Sequence, residues 1–123
     1  MEQISNDGAG IIVYLLQEGR GIGLTNKVRA YALQDKGQDT VEANLSLGFQ
    51  ADLRDFSVAA HVLEDLGVHA CRLMTNNPRK IEQLENAGIE ITERISLETS
   101  PDDRTRTYLK AKKDKLGHLL NQV

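Results

Sequence analysis

Apolar residues fall along this chain in two textures, short unbroken runs and stripes at helical spacing. The run GIIVYLL over residues 10–16 is continuous and rich in β-branched residues, the pattern of a strand buried on both faces. The glycines of EGRGIG then break the chain, and Leu24, Val28, Tyr31 and Ala32 resume at helical spacing in a segment that ends before Gly37. Phe56, Val58, Ala59, Val62, Leu63 and Leu66 predict a second amphipathic helix closed by Gly67, after which VHACRLM (68–74) returns as a strand. Pro78 stands at a first helical position behind Asn77 as cap, so the following helix continues until Gly88. IEITERI (89–95) alternates Ile89, Ile91 and Glu93 and reads as a shorter, more exposed strand. Strands alternating with helices predict an α/β fold, a largely parallel sheet with helices on both faces. Residues 1–123 read as one domain, of which 100–123 form a basic C-terminal tail with a helix-like stretch over 104–115.

At 123 residues, such a domain buries roughly two-thirds of its unfolded surface, enough for a real core. No apolar run approaches the roughly 20 residues a spanning helix needs, and the N-terminus lacks a basic-then-apolar signal pattern. A cytoplasmic protein without a membrane partner is expected. The net charge of -3 argues against nonspecific nucleic-acid binding, which depends on clustered Lys and Arg. The single cysteine excludes an internal disulfide and a cysteine-rich zinc site. Cys71 falls in an apolar run as a small core residue, and His61, His69 and His118 are scattered. Metal binding by this chain alone is therefore not expected.

Ligands of open α/β sheets settle beyond the carboxyl ends of strands, near helix N-termini. Two turns offer such a place. In Gln17-Glu18-Gly19-Arg20-Gly21-Ile22-Gly23 the glycines permit close backbone approach and Arg20 suits an anion, although a merely tight strand-to-helix connection has the same look. Thr75-Asn76-Asn77-Pro78-Arg79-Lys80 puts two cations in the first turn of a helix, where the macrodipole disfavours them. A bound phosphate would reverse that sign; the plain alternative is that both side chains extend into water. Between the turns, Asp52-Leu53-Arg54-Asp55 reads either as a capping arrangement, with Asp52 as cap and Asp55 in the first turn, or as an arginine and carboxylate acting on a phosphate.

QEGRGIGLTNKVRAYALQ (17–34) and DTVEANLSLGFQADLRD (39–55) together resemble the nucleotide half of GTP cyclohydrolase II, and the likeness runs from about residue 3 to residue 120. The resemblance implies opening of the imidazole ring of GTP with loss of formate and pyrophosphate, giving a ribosylaminopyrimidinone phosphate for riboflavin biosynthesis. It implies that Glu18, Gly19 and Arg20 contact GTP, that Thr40, Thr75 and Lys80 add further nucleotide contacts, and that Tyr31 lies near the reacting nucleotide. By the same likeness Asp52 is the proton acceptor and Arg54 the nucleophile on the α-phosphorus, although a guanidinium is more ordinarily a charge clamp.

Zinc on three cysteines, and magnesium, are implied for the complete family enzyme, and the zinc-bearing half would precede Met1. The tail departs from the family too, with Ser100 to Thr107 standing before Tyr108-Leu109 where an asparagine-containing loop is usual. Three readings stay open. The chain is part of a GTP cyclohydrolase II whose zinc half is supplied elsewhere, or a metal-free enzyme cleaving GTP to GMP and pyrophosphate with Asp52 and Arg54, or a non-catalytic nucleotide-binding module. A sheet edge left exposed would favour a homo-oligomer.

Overall fold

A computed structural model describes residues 1–18 and 20–123; Gly19, one of the residues implied to contact GTP, lies outside the described residues. The elements in chain order are α1 (Glu2–Asp7), a 3-10 turn (Glu18–Gly21), α2 (Leu24–Gln34), α3 (Thr40–Ser46), α4 (Ser57–Asp65), β1 (Ala70–Met74), α5 (Pro78–Asn86), β2 (Glu90–Ile95) and α6 (Asp103–Leu116). The β1-α5-β2 unit forms as the apolar pattern predicts. β1 and β2 pair in parallel from Ala70 opposite Glu90 to Met74 opposite Ile95, with the register shifting between Cys71 and Arg72. α5 starts with Pro78 in its first turn and the Asn77 side chain accepting from the Arg79 amide at 3.1 Å, so two of the signals read from sequence operate together.

The core lies between α4, α5 and this ribbon. Ala60 and Leu63 of α4 meet Leu84 of α5 and Ile89, with Val13, Val68, Cys71, Leu73 and Ile91 packed around them. Ile89 is 1% exposed, so truncating it to Ala would cost about 2–5 kcal/mol. Cys71 is thus the half-buried packing residue its neighbours predicted, and burial pushes its thiol pKa up.

The fold is α/β, but its sheet has only two strands among the described residues. Residues 10–16 do not form the expected buried strand. They run without a ladder partner, and Ile11 (46%), Ile12 (59%), Tyr14 (80%) and Leu16 (88%) stay exposed while Val13 alone reaches the core. The physical reason is that a continuous apolar run needs cover on both faces and a hydrogen-bonded neighbour, and the described residues supply neither. α1 and α3 were not anticipated. α3 is announced by a capping box: the Asp39 carboxylate accepts from the Glu42 amide at 2.9 Å, and the Glu42 side chain accepts from the Asp39 amide at 3.0 Å. Among the described residues no helix is long and apolar enough to cross a membrane.

Candidate anion-binding site

Four segments meet beside the end of β1. The 3-10 turn docks on residues 52–55 because the Leu53 amide donates to the Arg20 carbonyl at 2.9 Å. Gly21 makes that approach feasible: it adopts φ 89°, and a Cβ there would stand 3.0 Å from the Leu53 carbonyl carbon. Gln17 and Asp55 clasp the same joint reciprocally, side-chain amide to carbonyl and amide to side-chain oxygen, both at 2.7 Å. The Phe56 amide then donates to Gln83 Oε1 of α5 at 2.7 Å, and the Leu119 amide to the Asn76 carbonyl at 2.8 Å. The chain's C-terminal segment is thereby held against the 75–80 turn.

These connections gather cations. Arg54 grips Asp52 with a fork, Nε to Oδ1 at 2.9 Å and Nη2 to Oδ2 at 2.6 Å, while its backbone amide donates to Oδ1 at 3.1 Å. Asp52 is 6% exposed; burial would raise its pKa, but the Arg54 bonds outweigh that and hold the carboxyl below its ordinary range. The same pairing raises the Arg54 pKa, so this guanidinium stays charged. Arg54 and Lys80 each stand 5.2 Å from the centre of the Phe56 ring, which both cations share. Burial, followed by repulsion from Arg54 and Lys112, pulls the Lys80 pKa down. Arg79 donates from Nη1 to the Asp52 carbonyl.

Arg20 is the sharpest feature of the group. It is the one non-glycine residue with positive φ among the described residues, at 57°, and its two terminal guanidinium nitrogens are buried with no hydrogen-bond partner within 3.5 Å among the described residues, the Tyr108 hydroxyl lying near the guanidinium. Arg20 as a whole is half-buried, but a buried donor left unpaired costs about 1–3 kcal/mol, which an arriving anion would remove. His118 looks into the same ground and lines a cavity of about 230 Å³ with Asp52, Asn77 and Arg79. Burial first, then Lys112, Arg54 and Arg20, lower its pKa to about 4, so it is neutral at pH 7. At Tyr108, Lys112 and Arg20 outweigh burial and lower the phenol pKa.

The structure therefore brings together Arg20, Asp52, Arg54 and Lys80, with buried Thr75 in the turn beneath, its hydroxyl accepting from the Asn77 amide at 3.1 Å. Glu18 and Tyr31 form a separate group around Lys27, which pairs with Glu18 and lies 5.8 Å from the Tyr31 ring centre. Thr40 heads α3, on a seam where Lys115 of α6 pairs with Asp39 and Glu42. Asp52 does not cap α4: the N-cap is Phe56, without a side-chain cap bond, and Asp55 just before it accepts from the amide of Ser57, the first helical residue, at 2.9 Å and from its hydroxyl at 2.6 Å, because α4 begins too late for Asp52 to reach. Sequence reasoning missed Tyr108, Lys112 and His118. Their one signal was the spacing of four between Tyr108 and Lys112 on a basic helix.

The GTP cyclohydrolase II family profile matches residues 1–96. The chain belongs to the GTP cyclohydrolase II family. GTP cyclohydrolase-2 of Azotobacter vinelandii is 54% identical over 123 residues, which cover all of this chain and 59% of that protein. The riboflavin biosynthesis protein RibBA of Chlorobium phaeovibrioides is 56% identical over 121 residues, 98% of this chain and 30% of its own length. RibBA of Aquifex aeolicus is 53% identical over 120 residues, again 30% of its length. The chain thus spans little more than half of a GTP cyclohydrolase-2. Zinc, implied for the complete family enzyme, does not fit the described residues of this member: none of their His, Cys, Asp and Glu side chains form a group of three that could hold a metal ion.

Proposed function

We propose that this chain supplies the triphosphate-binding and phosphate-cleaving half of a GTP cyclohydrolase II. The observation that carries this reading is the pair of buried, unpartnered Arg20 nitrogens amid Arg54, Arg79, Lys80 and Lys112, five cations around the single buried carboxylate of Asp52. A triphosphate is the biological anion whose charge matches such an excess, and the forked donors of arginine fit its oxygens. Lys80 and Arg20 hold the phosphates, and Thr75 buttresses the turn that presents Lys80. Glu18 and Tyr31, on the α2 side, take the guanine end, where a carboxylate can accept from the N1–H and 2-amino groups. Thr40 stays with the nucleotide contacts that the family likeness assigns.

Cleavage at the α-phosphorus follows from the Asp52–Arg54 pair. An α-phosphate entering the site competes for the Arg54 fork and frees Asp52, which is ionised and adjacent. Water then forms an O–P bond to the α-phosphorus, its proton passes to Asp52, and pyrophosphate leaves with the electrons of the broken P–O bond. Arg54 serves this step as a clamp on developing charge, because Asp52 strengthens its hold on the proton that a nucleophilic role would require it to lose. Magnesium would enter with the phosphates and balance their charge. No step of ring opening is assigned to the residues described here; that chemistry belongs to the longer protein. In that protein residues 10–16 would join the largely parallel sheet with helices on both faces, and in its absence they favour self-association. The test is mass analysis of products after incubation with GTP and magnesium. Pyrophosphate without formate is expected, lost in both Arg54→Ala and Asp52→Asn. Formate from this chain alone, or pyrophosphate release surviving both substitutions, overturns the proposal.

A further inference from the structure

We propose that α6 completes the phosphate site from the opposite side, with Lys112 and Tyr108 as direct ligands of the terminal phosphates of the nucleotide. This deepens the triphosphate reading above and rests on it. The two side chains lie one turn apart on the same face of α6, and the Lys112 ammonium sits over the Tyr108 ring, 4.1 Å from its centre. Cations lie near both side chains. Lys112 stands near Lys80 and His118, and Arg20 stands near the Tyr108 hydroxyl.

Two other lysines of the helix, Lys113 and Lys115, behave differently. Lys115 pairs with Asp39 and Glu42, and Lys113 donates to the Val123 carbonyl, whereas Lys112 takes part in none of the ion pairs among the described residues. Unpaired ammonium groups facing other cations repel, and the helix keeps this arrangement only at a cost that an anion between the two walls would remove. Tyr108 is 43% exposed, so the residue is open to a ligand. The tether of Leu119 to Asn76 and the α3 seam at Lys115 hold α6 in place from both sides, so the wall is fixed rather than a loose arm. A ligand with one phosphate would reach Arg20 and Lys80; a triphosphate or pyrophosphate is long enough to reach the α6 side as well.

The experiment is calorimetric titration of the full chain and of Lys112→Ala, Lys112→Arg, Tyr108→Phe, Lys113→Ala and Lys80→Ala with GTP, GMP and pyrophosphate. Lys112→Ala should weaken GTP and pyrophosphate about tenfold or more while changing GMP less than twofold, with Lys112→Arg recovering most of the loss. Tyr108→Phe should weaken the same two ligands about threefold. Lys113→Ala removes the same charge from the same helix and should change nothing. If Lys80→Ala weakens GTP but Lys112→Ala matches the unsubstituted chain, or if Lys113→Ala weakens binding as much as Lys112→Ala, the α6 assignment is overturned and the triphosphate site stands. If the unsubstituted chain binds neither GTP nor pyrophosphate, both fall together.

Discussion

Two cationic regions meet α6, one at Lys115 and one at Tyr108 and Lys112, and only the first is finished. At the α3 seam Lys115 meets Asp39 and Glu42, the two residues of the α3 capping box, and each carboxylate pKa is lowered. At the second region Arg20, Arg54, Arg79, Lys80 and Lys112 gather around one buried carboxylate, Asp52, with Lys80 and His118 both pushed toward their neutral forms. The first region stabilises the fold without a ligand. The second is poised for an anion, because like charges held together by surrounding packing raise the energy of the empty state. The difference teaches that a cation's partner list, rather than its exposure, separates a structural lysine from a binding one.

The comparison breaks most severely at Arg54. Arg54→Ala leaves Asp52, 6% exposed, without its forked partner, and should lower unfolding free energy by about 2–3 kcal/mol and abolish pyrophosphate release. Urea denaturation followed by circular dichroism measures the first effect and product analysis the second. Lys80→Ala comes next, weakening triphosphate binding by about 1–3 kcal/mol and guanosine hardly at all. Equal losses for guanosine and GTP would mean that Lys80 acts through the fold.

His118 sharpens the comparison by pH. Its folded pKa of about 4 lies below the unfolded value of 6.5, so the folded state resists the proton, and its contribution to stability is full above pH 6.5 and is lost as pH falls toward 4. A polyanion offsets Lys112, Arg54 and Arg20, which together with Asp52 are the charges facing the ring, and should move the His118 pKa upward. NMR titration with and without pyrophosphate measures this; an unchanged His118 pKa would place the anion elsewhere. The smallest effect is expected at the finished region. Lys115→Ala should cost about 0–1 kcal/mol of stability, read from a denaturation midpoint, and leave nucleotide affinity intact.

Much of this architecture was legible from residues alone. Asn77-Pro78 marked the head of α5, and Gly67 and Gly88 marked the ends of α4 and α5, since each signal acts through its own few residues. The run at 10–16 and the less apolar run at 68–74 both read as strands, and only the second becomes one. Pairing is a property of neighbours, and β2 neighbours only the second. Arg20, Asp52, Arg54 and Lys80 stood out in their turns and took their specific roles from the family likeness, and their convergence became visible only when the 3-10 turn, the 52–55 segment and α5 were joined by Leu53, Gln17 and Gln83. Tyr108, Lys112 and His118 escaped because nothing local marks which face of a basic helix meets a distant loop.

The most direct test is a crystal structure of this chain with a non-hydrolysable GTP analogue. Phosphate oxygens within hydrogen-bond distance of both Arg20 terminal nitrogens and of Lys80 Nζ are expected, with Arg54 shared between Asp52 and the α-phosphate. Phosphates bound elsewhere, with the Arg20 nitrogens still buried and unpartnered, would contradict the account.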